Sequence, residues 1–154
     1  MNKQLYIIAH NIRSLHNVGS IFRTADALGV SKVYLTGYTG APPDPRLAKV
    51  ALGAENFVPW EKAVSAVRLI KKLRQQQPKL QVIALENNIK RKIVPLSKYK
   101  PHFPLALIVG EETKGISKSL LNLADTIIEI PMLGEKESLN VSVALGIAVY
   151  QLLK

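Results

Sequence analysis

Leu105-Ala106-Leu107-Ile108-Val109 runs directly into Gly110-Glu111-Glu112-Thr113-Lys114-Gly115. Five consecutive apolar residues lack both the alternation of a half-exposed strand and the length of a helix. The run therefore reads as a strand covered on both faces. Such strands belong to parallel sheets with helices packed on each side. The polar, glycine-bearing loop that follows then lies at the C-terminal end of the strand, where open parallel sheets bind their ligands.

Outward from this strand, helices and strands alternate. Upstream, Glu61 to Gln76 reads as a helix with Ala63, Val64, Val67, Ile70 and Leu73 inside and Lys62, Arg68, Lys71, Lys72 and Arg74 largely outside. Pro78 ends it, and Leu80 to Leu85 is a strand. Downstream come a short helix from Ile116 to Leu123, a strand from Thr126 to Ile130 stopped by Pro131, and a closing helix from Leu139 to Leu153. Nearer the N-terminus, Leu5-Tyr6-Ile7-Ile8-Ala9 is a buried strand. A helix follows from an N-cap at Asn17, with Val18, Ile21, Phe22, Ala25 and Leu28 at helical spacing and Gly29 as its C-cap. Val33 to Thr36 is a strand, residues 46–52 a short helix, and Asn56-Phe57-Val58 a short strand. This alternation predicts an α/β fold, a mainly parallel sheet flanked by helices, in one domain over residues 1–154.

Composition bounds the chemistry. The 154 residues are 47% hydrophobic and 21% charged, as a folded globular chain requires. There is no cysteine, which excludes thiol catalysis and cysteine-ligated metals. No apolar run approaches the roughly 20 residues of a membrane span. The first ten residues are too short an apolar stretch for a signal peptide, and a cytoplasmic location is expected. The net charge of +10 is unevenly spread: residues 61–103 hold eleven basic residues and two acids, and the remainder is nearly neutral. A basic middle of this kind attracts polyanions, nucleic acid first.

Leu139, Val141, Val143, Ala144, Leu145, Ile147, Ala148, Val149, Tyr150 and Leu152 surround the last helix with apolar groups. Such a helix is buried on all sides. In a terminal position this implies a second subunit over its outer face, a homodimer through the C-terminal helix. Four strand-end loops are candidate site elements: residues 10–17, 86–88, 110–115 and 131–140. Nucleotide fingerprints fail, since no G-x-G-x-x-G follows a strand and Ile116-Ser117 stands where a P-loop needs Lys-Ser/Thr. His10, His16 and His102 have no metal spacing, and no metal is expected. Taken singly, residues 110–115 read equally as a tight turn, Ser138 as a helix cap and Arg23 as a surface arginine. Their convergence on one sheet edge favours a site.

Together these segments resemble the SpoU/TrmH-type RNA 2′-O-ribose methyltransferases of the SPOUT superfamily. Three motifs carry the resemblance, in order: Asn11 to Gly29 (Asn11-Ile12-Arg13-Ser14-Leu15-His16-Asn17 through Arg23), Ile108 to Ser117, and Ile130 to Gly134 followed by Ser138 to Ala144. The resemblance implies an α/β fold with a C-terminal trefoil knot, S-adenosylmethionine as cofactor with S-adenosylhomocysteine as product, and an obligate dimer. It puts the catalytic residues at Asn17, Arg23, Glu112, Ser138 and Asn140. Cofactor contacts fall on Leu85, Glu86, Gly110, Ile130, Met132, Ser138 and Leu139. RNA contacts are expected at Arg13 and Arg23 of the first motif and at Lys90, Arg91 and Lys92. Transfer RNA is the expected substrate. Ribosomal RNA, methylation of a base nitrogen, and a catalytically silent RNA-binding dimer remain as alternatives.

Overall fold

A computed structural model describes residues 2–87 and 89–154, so the reading of Asn88 in the loop 86–88 lies outside the described residues. In chain order these form β1 (Leu5–His10), α1 (Leu15–Ala27), β2 (Lys32–Thr36), α2 (Pro45–Ala51), β3 (Trp60–Ala63), α3 (Ala66–Gln76) and β4 (Gln81–Leu85). Then follow β5 (Val94–Pro95), β6 (Leu105–Val109), α4 (Lys118–Leu123), β7 (Thr126–Glu129) and α5 (Val141–Leu153). The strands line up as β3-β2-β1-β6-β4-β7-β5, and each neighbouring pair is parallel. The α/β reading with a parallel sheet flanked by helices therefore holds.

The apolar run Leu105–Val109, β6, is the middle strand, and all five of its side chains are buried. Alternation splits them between two cores. Leu105, Leu107 and Val109 join Val18, Ile21 and Phe22 of α1 and Leu145 and Val149 of α5. Ala106 and Ile108 join Leu69, Ile70 and Leu73 of α3 and Leu120 of α4. Truncating a side chain such as Leu107 to Ala in so enclosed a place costs about 2–5 kcal/mol. On the first face α1 and α2 touch most closely at Gly19, where a Cβ would stand 2.5 Å from the Leu47 carbonyl oxygen.

Four local expectations are corrected. Asn17 does not cap α1; Ser14 does, its hydroxyl accepting from the Asn17 amide at 3.1 Å. The helix thus begins two residues before Asn17 and carries Asn17 into its first turn, buried. The helix expected from Glu61 is a strand, β3, up to Ala63, and helical only from Ala66, after the cap Ser65. Val64 fits helical spacing but is 88% exposed. What wins is pairing with β2, helped by the Lys32–Glu61 ion pair at 3.0 Å across the two strands. Residues 54–56 are a single 3-10 turn, not a strand at 56–58. The last helix starts at Val141 under an Asn140 cap, so Ser138 caps nothing there.

Candidate functional site

The C-terminal ends of β4, β6 and β7 open onto one cavity, bordered by the loop leading to α5. Its volume is about 90 Å³. Its walls include Leu85, Glu86, Gly110, Glu112, Ile130, Met132, Ser138 and Leu139. All seven residues expected to meet the cofactor are among them.

Hydrogen bonds tie the loops together. The Glu86 carboxylate accepts from the Ile116 amide at 2.8 Å and the Asn87 amide at 3.1 Å. Gly115, at φ +67°, leaves no room there: a Cβ would stand 2.4 Å from the same carboxylate. The Asn87 side-chain amide donates to the Ile130 carbonyl at 2.8 Å, joining the β4 and β7 ends. Asn17, only 6% exposed, donates to Glu112 at 2.7 Å and accepts from Asn140 at 3.1 Å. The Asn140 side-chain oxygen in turn accepts from the Ser142 amide at 2.9 Å and the Ser142 hydroxyl at 2.6 Å at the start of α5. Three distant segments of the chain meet in this relay.

The other predicted residues are not in it. Ser138 lines the cavity and makes no hydrogen bond among the described residues. Arg23 is exposed, about one and two-thirds helical turns beyond Asn17, and has no partner among the described residues. Lys90 and Lys92 are exposed and do not line the cavity. Arg91 donates to Asn122 at 2.8 Å, beside the end of α4. The described residues contain no group of three or more His, Asp or Glu side chains able to hold a metal. No helix among them is long and apolar enough to cross a membrane.

Sequence reasoning missed a cluster on the same edge. Glu111 lines the cavity and is 8% exposed. It pairs with Arg13 at 3.3 Å, whose Nε also donates to the Tyr38 hydroxyl at 3.2 Å. Burial pushes the Glu111 carboxyl up, but the Tyr38, Arg13 and Thr113 contacts outweigh it and hold it below the usual carboxylate range. Asn11, at φ +55°, accepts from the Tyr38 amide at 3.1 Å, and the Thr39 hydroxyl accepts from the Ile12 amide at 3.0 Å. Thus the loop after β2 fixes the loop after β1. Inspecting the end of every strand, β2 included, finds Tyr38. His10 bonds the Thr36 hydroxyl at 2.9 Å; burial lowers its pKa, and Glu111 partly opposes this. That leaves it a strut between β1 and β2.

On the outer side of α5, Val143, Ile147 and Tyr150 are 44–64% exposed, while Leu145, Ala148, Val149 and Leu152 are buried. The helix is thus half covered by its own chain.

The SpoU rRNA Methylase family model matches residues 4–150. A 23S rRNA (guanosine-2′-O-)-methyltransferase RlmB from Ralstonia nicotianae is 31% identical over 96% of this chain and 57% of its own. A tRNA (guanosine(18)-2′-O)-methyltransferase from Aquifex aeolicus is 33% identical over 97% of this chain and 68% of its own. The solved AdoMet-bound rRNA methyltransferase from Sinorhizobium meliloti superposes with a TM-score of 0.87 at 27% identity, over 98% of this chain and 56% of its own. The chain spans less than three-fifths of the length of the RlmB relative.

Proposed function

The chain belongs to the SpoU rRNA methylase family, and from that premise we propose that it transfers a methyl group from S-adenosylmethionine to a ribose 2′-hydroxyl of a structured RNA. The observation that carries this reading is the Glu112–Asn17–Asn140 relay. It joins one residue from each of the three motifs at the cavity edge.

The cavity's chemistry suits the cofactor. Leu85, Ile130, Leu139 and Ala144 give an apolar bed for a flat base, and Glu111 and Glu112 give negative charge for a cationic sulfonium and ammonium. Met132, Ser138 and Leu139, from the segment between β7 and α5, form one wall. When bound, S-adenosylmethionine supplies a sulfonium methyl that needs no metal to activate it. Leu85, Gly110, Ile130, Met132, Ser138 and Leu139 hold the cofactor. Glu86 serves mainly to keep the loops after β4 and β6 together, its carboxylate being already engaged. Asn17, Glu112 and Asn140 fix the first turn of α1 against the cavity. Arg23 acts as a cation and not as a base, since a guanidinium keeps its proton in proteins. It grips the phosphate beside the target ribose and orients the hydroxyl, and phosphate or water takes the proton. Alignment of this kind contributes roughly 7–11 kcal/mol in favourable cases.

The protein acts as a homodimer, with the exposed face of α5 against a second copy; the apolar row Val143, Ile147 and Tyr150 supports this. The C-terminal trefoil knot implied by the motifs belongs to the same proposal. It is supported by the meeting of the β6, β7 and α5 ends at one cavity. Transfer RNA is the first substrate, because the tRNA-acting relative is matched over a larger share of its length than the RlmB relative. The 23S-acting relative makes ribosomal RNA the second. Mass spectrometry of nucleosides from separated transfer and ribosomal RNA, with and without the protein in the cell, tests both. One 2′-O-methylnucleoside is expected to vanish from the transfer RNA fraction. A methylated base vanishing instead overturns the ribose assignment.

A further inference from the structure

Beyond the cavity, on the other side of Glu111, lies a cleft between α1 and α2. Arg13, Leu15, His16, Arg46, Lys49 and Val50 line it. Three observations point to what it takes. First, its charged side chains, Arg13, Arg46 and Lys49, are all cationic. Lys49 and His16 have no partner among the described residues. Arg46 is held by Asp44 through Nε at 3.2 Å and Nη2 at 3.1 Å, yet its side chain is 76% exposed. Second, Arg13 lies between the cleft and an exposed aromatic ring: its guanidinium carbon is 5.5 Å from the Tyr38 centroid, and Tyr38 is 49% exposed. An exposed tyrosine beside an arginine offers a face for a nucleobase to stack upon. Third, His16, Ser20 and Arg23 fall at i, i+4 and i+7 of α1, on one face of the helix. The arginine assigned to the reaction and the mouth of the cleft therefore share one outward track.

Resting on the function proposed above, we infer that the α1–α2 cleft with Tyr38 is an RNA-binding site. It seats a nucleotide flanking the methylated one. Lys49, Arg46 and Arg13 meet its phosphates and Tyr38 stacks on its base. The contact from Arg13 to Glu111, which lines the cavity, links this seat to the reaction site. The acids aim the two arginines: Glu111 holds Arg13, and Asp44 holds Arg46, so each presents its guanidinium in a set direction. Phosphate contacts give affinity and register, while the stacked base tolerates any sequence.

The test uses fluorescence anisotropy of a labelled single-stranded RNA oligonucleotide between about 50 and 200 mM salt, with S-adenosylmethionine binding measured by calorimetry in parallel. Arg46→Glu combined with Lys49→Glu weakens RNA binding and flattens the salt slope by about 0.7 for each phosphate no longer neutralised. Tyr38→Ala weakens binding by about fivefold to a hundredfold, and Tyr38→Phe keeps most of it. Cofactor binding stays at the wild-type level in all three. An unchanged salt slope in the double variant, or unchanged affinity in Tyr38→Ala, overturns the cleft as the seat. A wild-type protein that binds cofactor but no RNA overturns the RNA reading itself. One that binds RNA but no cofactor leaves the cleft standing and overturns the proposed methyl transfer.

Discussion

Cavity and cleft flank the same Arg13–Glu111 pair and are built on opposite terms. In and beside the cavity the polar side chains are mostly engaged: Glu86 with two backbone amides, Asn87 with the Ile130 carbonyl, and Glu112 with Asn17, which also accepts from Asn140. In the cleft Lys49 and His16 face outward without partners among the described residues, and the arginines keep most of their surface exposed. A pre-wired pocket loses little entropy in holding one ligand and gains orientation from it. An open cationic surface gains affinity from counterion release and is read by salt. On the proposed reading the wired cavity carries the chemistry and the open cleft the grip.

The largest expected effect falls outside both regions, at the exposed Arg23 of α1. Arg23→Ala is expected to lower methyl transfer by at least about 10²-fold while leaving cofactor affinity unchanged. Arg23→Lys does little better, since a point charge lacks the planar fork. Rates and calorimetry on the same preparations check this. A parallel loss of cofactor affinity would merge Arg23 with the cavity.

Next is the relay. Asn17→Ala removes the hydrogen bonds to Glu112 and Asn140, both of which water can still reach, and costs about 0.5–1.5 kcal/mol per bond. For a chain of this size that is a fall in Tm of roughly 2–4 °C per kcal/mol. Lys49→Ala is expected to change Tm by at most a degree or two, since its exposed charge contributes only about 0.3–1 kcal/mol at the end of α2. Thermal unfolding of the two variants side by side measures the contrast.

Assembly comes third. Wild type is expected to scatter light as about twice 17.0 kDa and Ile147→Glu as a single chain or as aggregates. A monodisperse wild-type monomer at micromolar concentration contradicts the dimer.

The smallest effect is pH-dependent. Because the folded-state pKa of Glu111 is depressed, its contribution is fully present at neutral pH. It is lost as pH falls through the carboxylate range, below about pH 5. Glu111→Gln should lose that part of the acid sensitivity, seen in Tm against pH, and should loosen Arg13 in the cleft.

The parallel sheet is legible in the sequence because β6 is apolar on both faces, a pattern that a half-exposed strand cannot carry. The cavity is legible because ligand sites follow strand ends, and the loops after β4, β6 and β7 carry the polar and glycine residues of such a site. Tyr38 is harder to find, since a lone tyrosine in the turn after β2 has no chemical signature until Arg13 is seen beside it. Asn17 looks like a cap because it is a polar residue just before an apolar stripe. In fact Ser14 takes that duty and frees the Asn17 side-chain oxygen to accept from Asn140. β3 hides because Ala63 and Val64 continue the helical spacing of α3 by coincidence, and only pairing with β2 reveals the strand. The relay itself spans more than 120 residues of sequence, and no local pattern encodes such a contact.

The most direct test of the central claim is tritium transfer from labelled S-adenosylmethionine to bulk transfer RNA, followed by alkaline digestion. Ribose methylation removes the 2′-hydroxyl nucleophile that alkali uses, so the label is predicted in alkali-resistant dinucleotides. Label in ordinary mononucleotides carrying a methylated base, or no transfer by a preparation that binds both cofactor and RNA, would contradict ribose methylation by this chain.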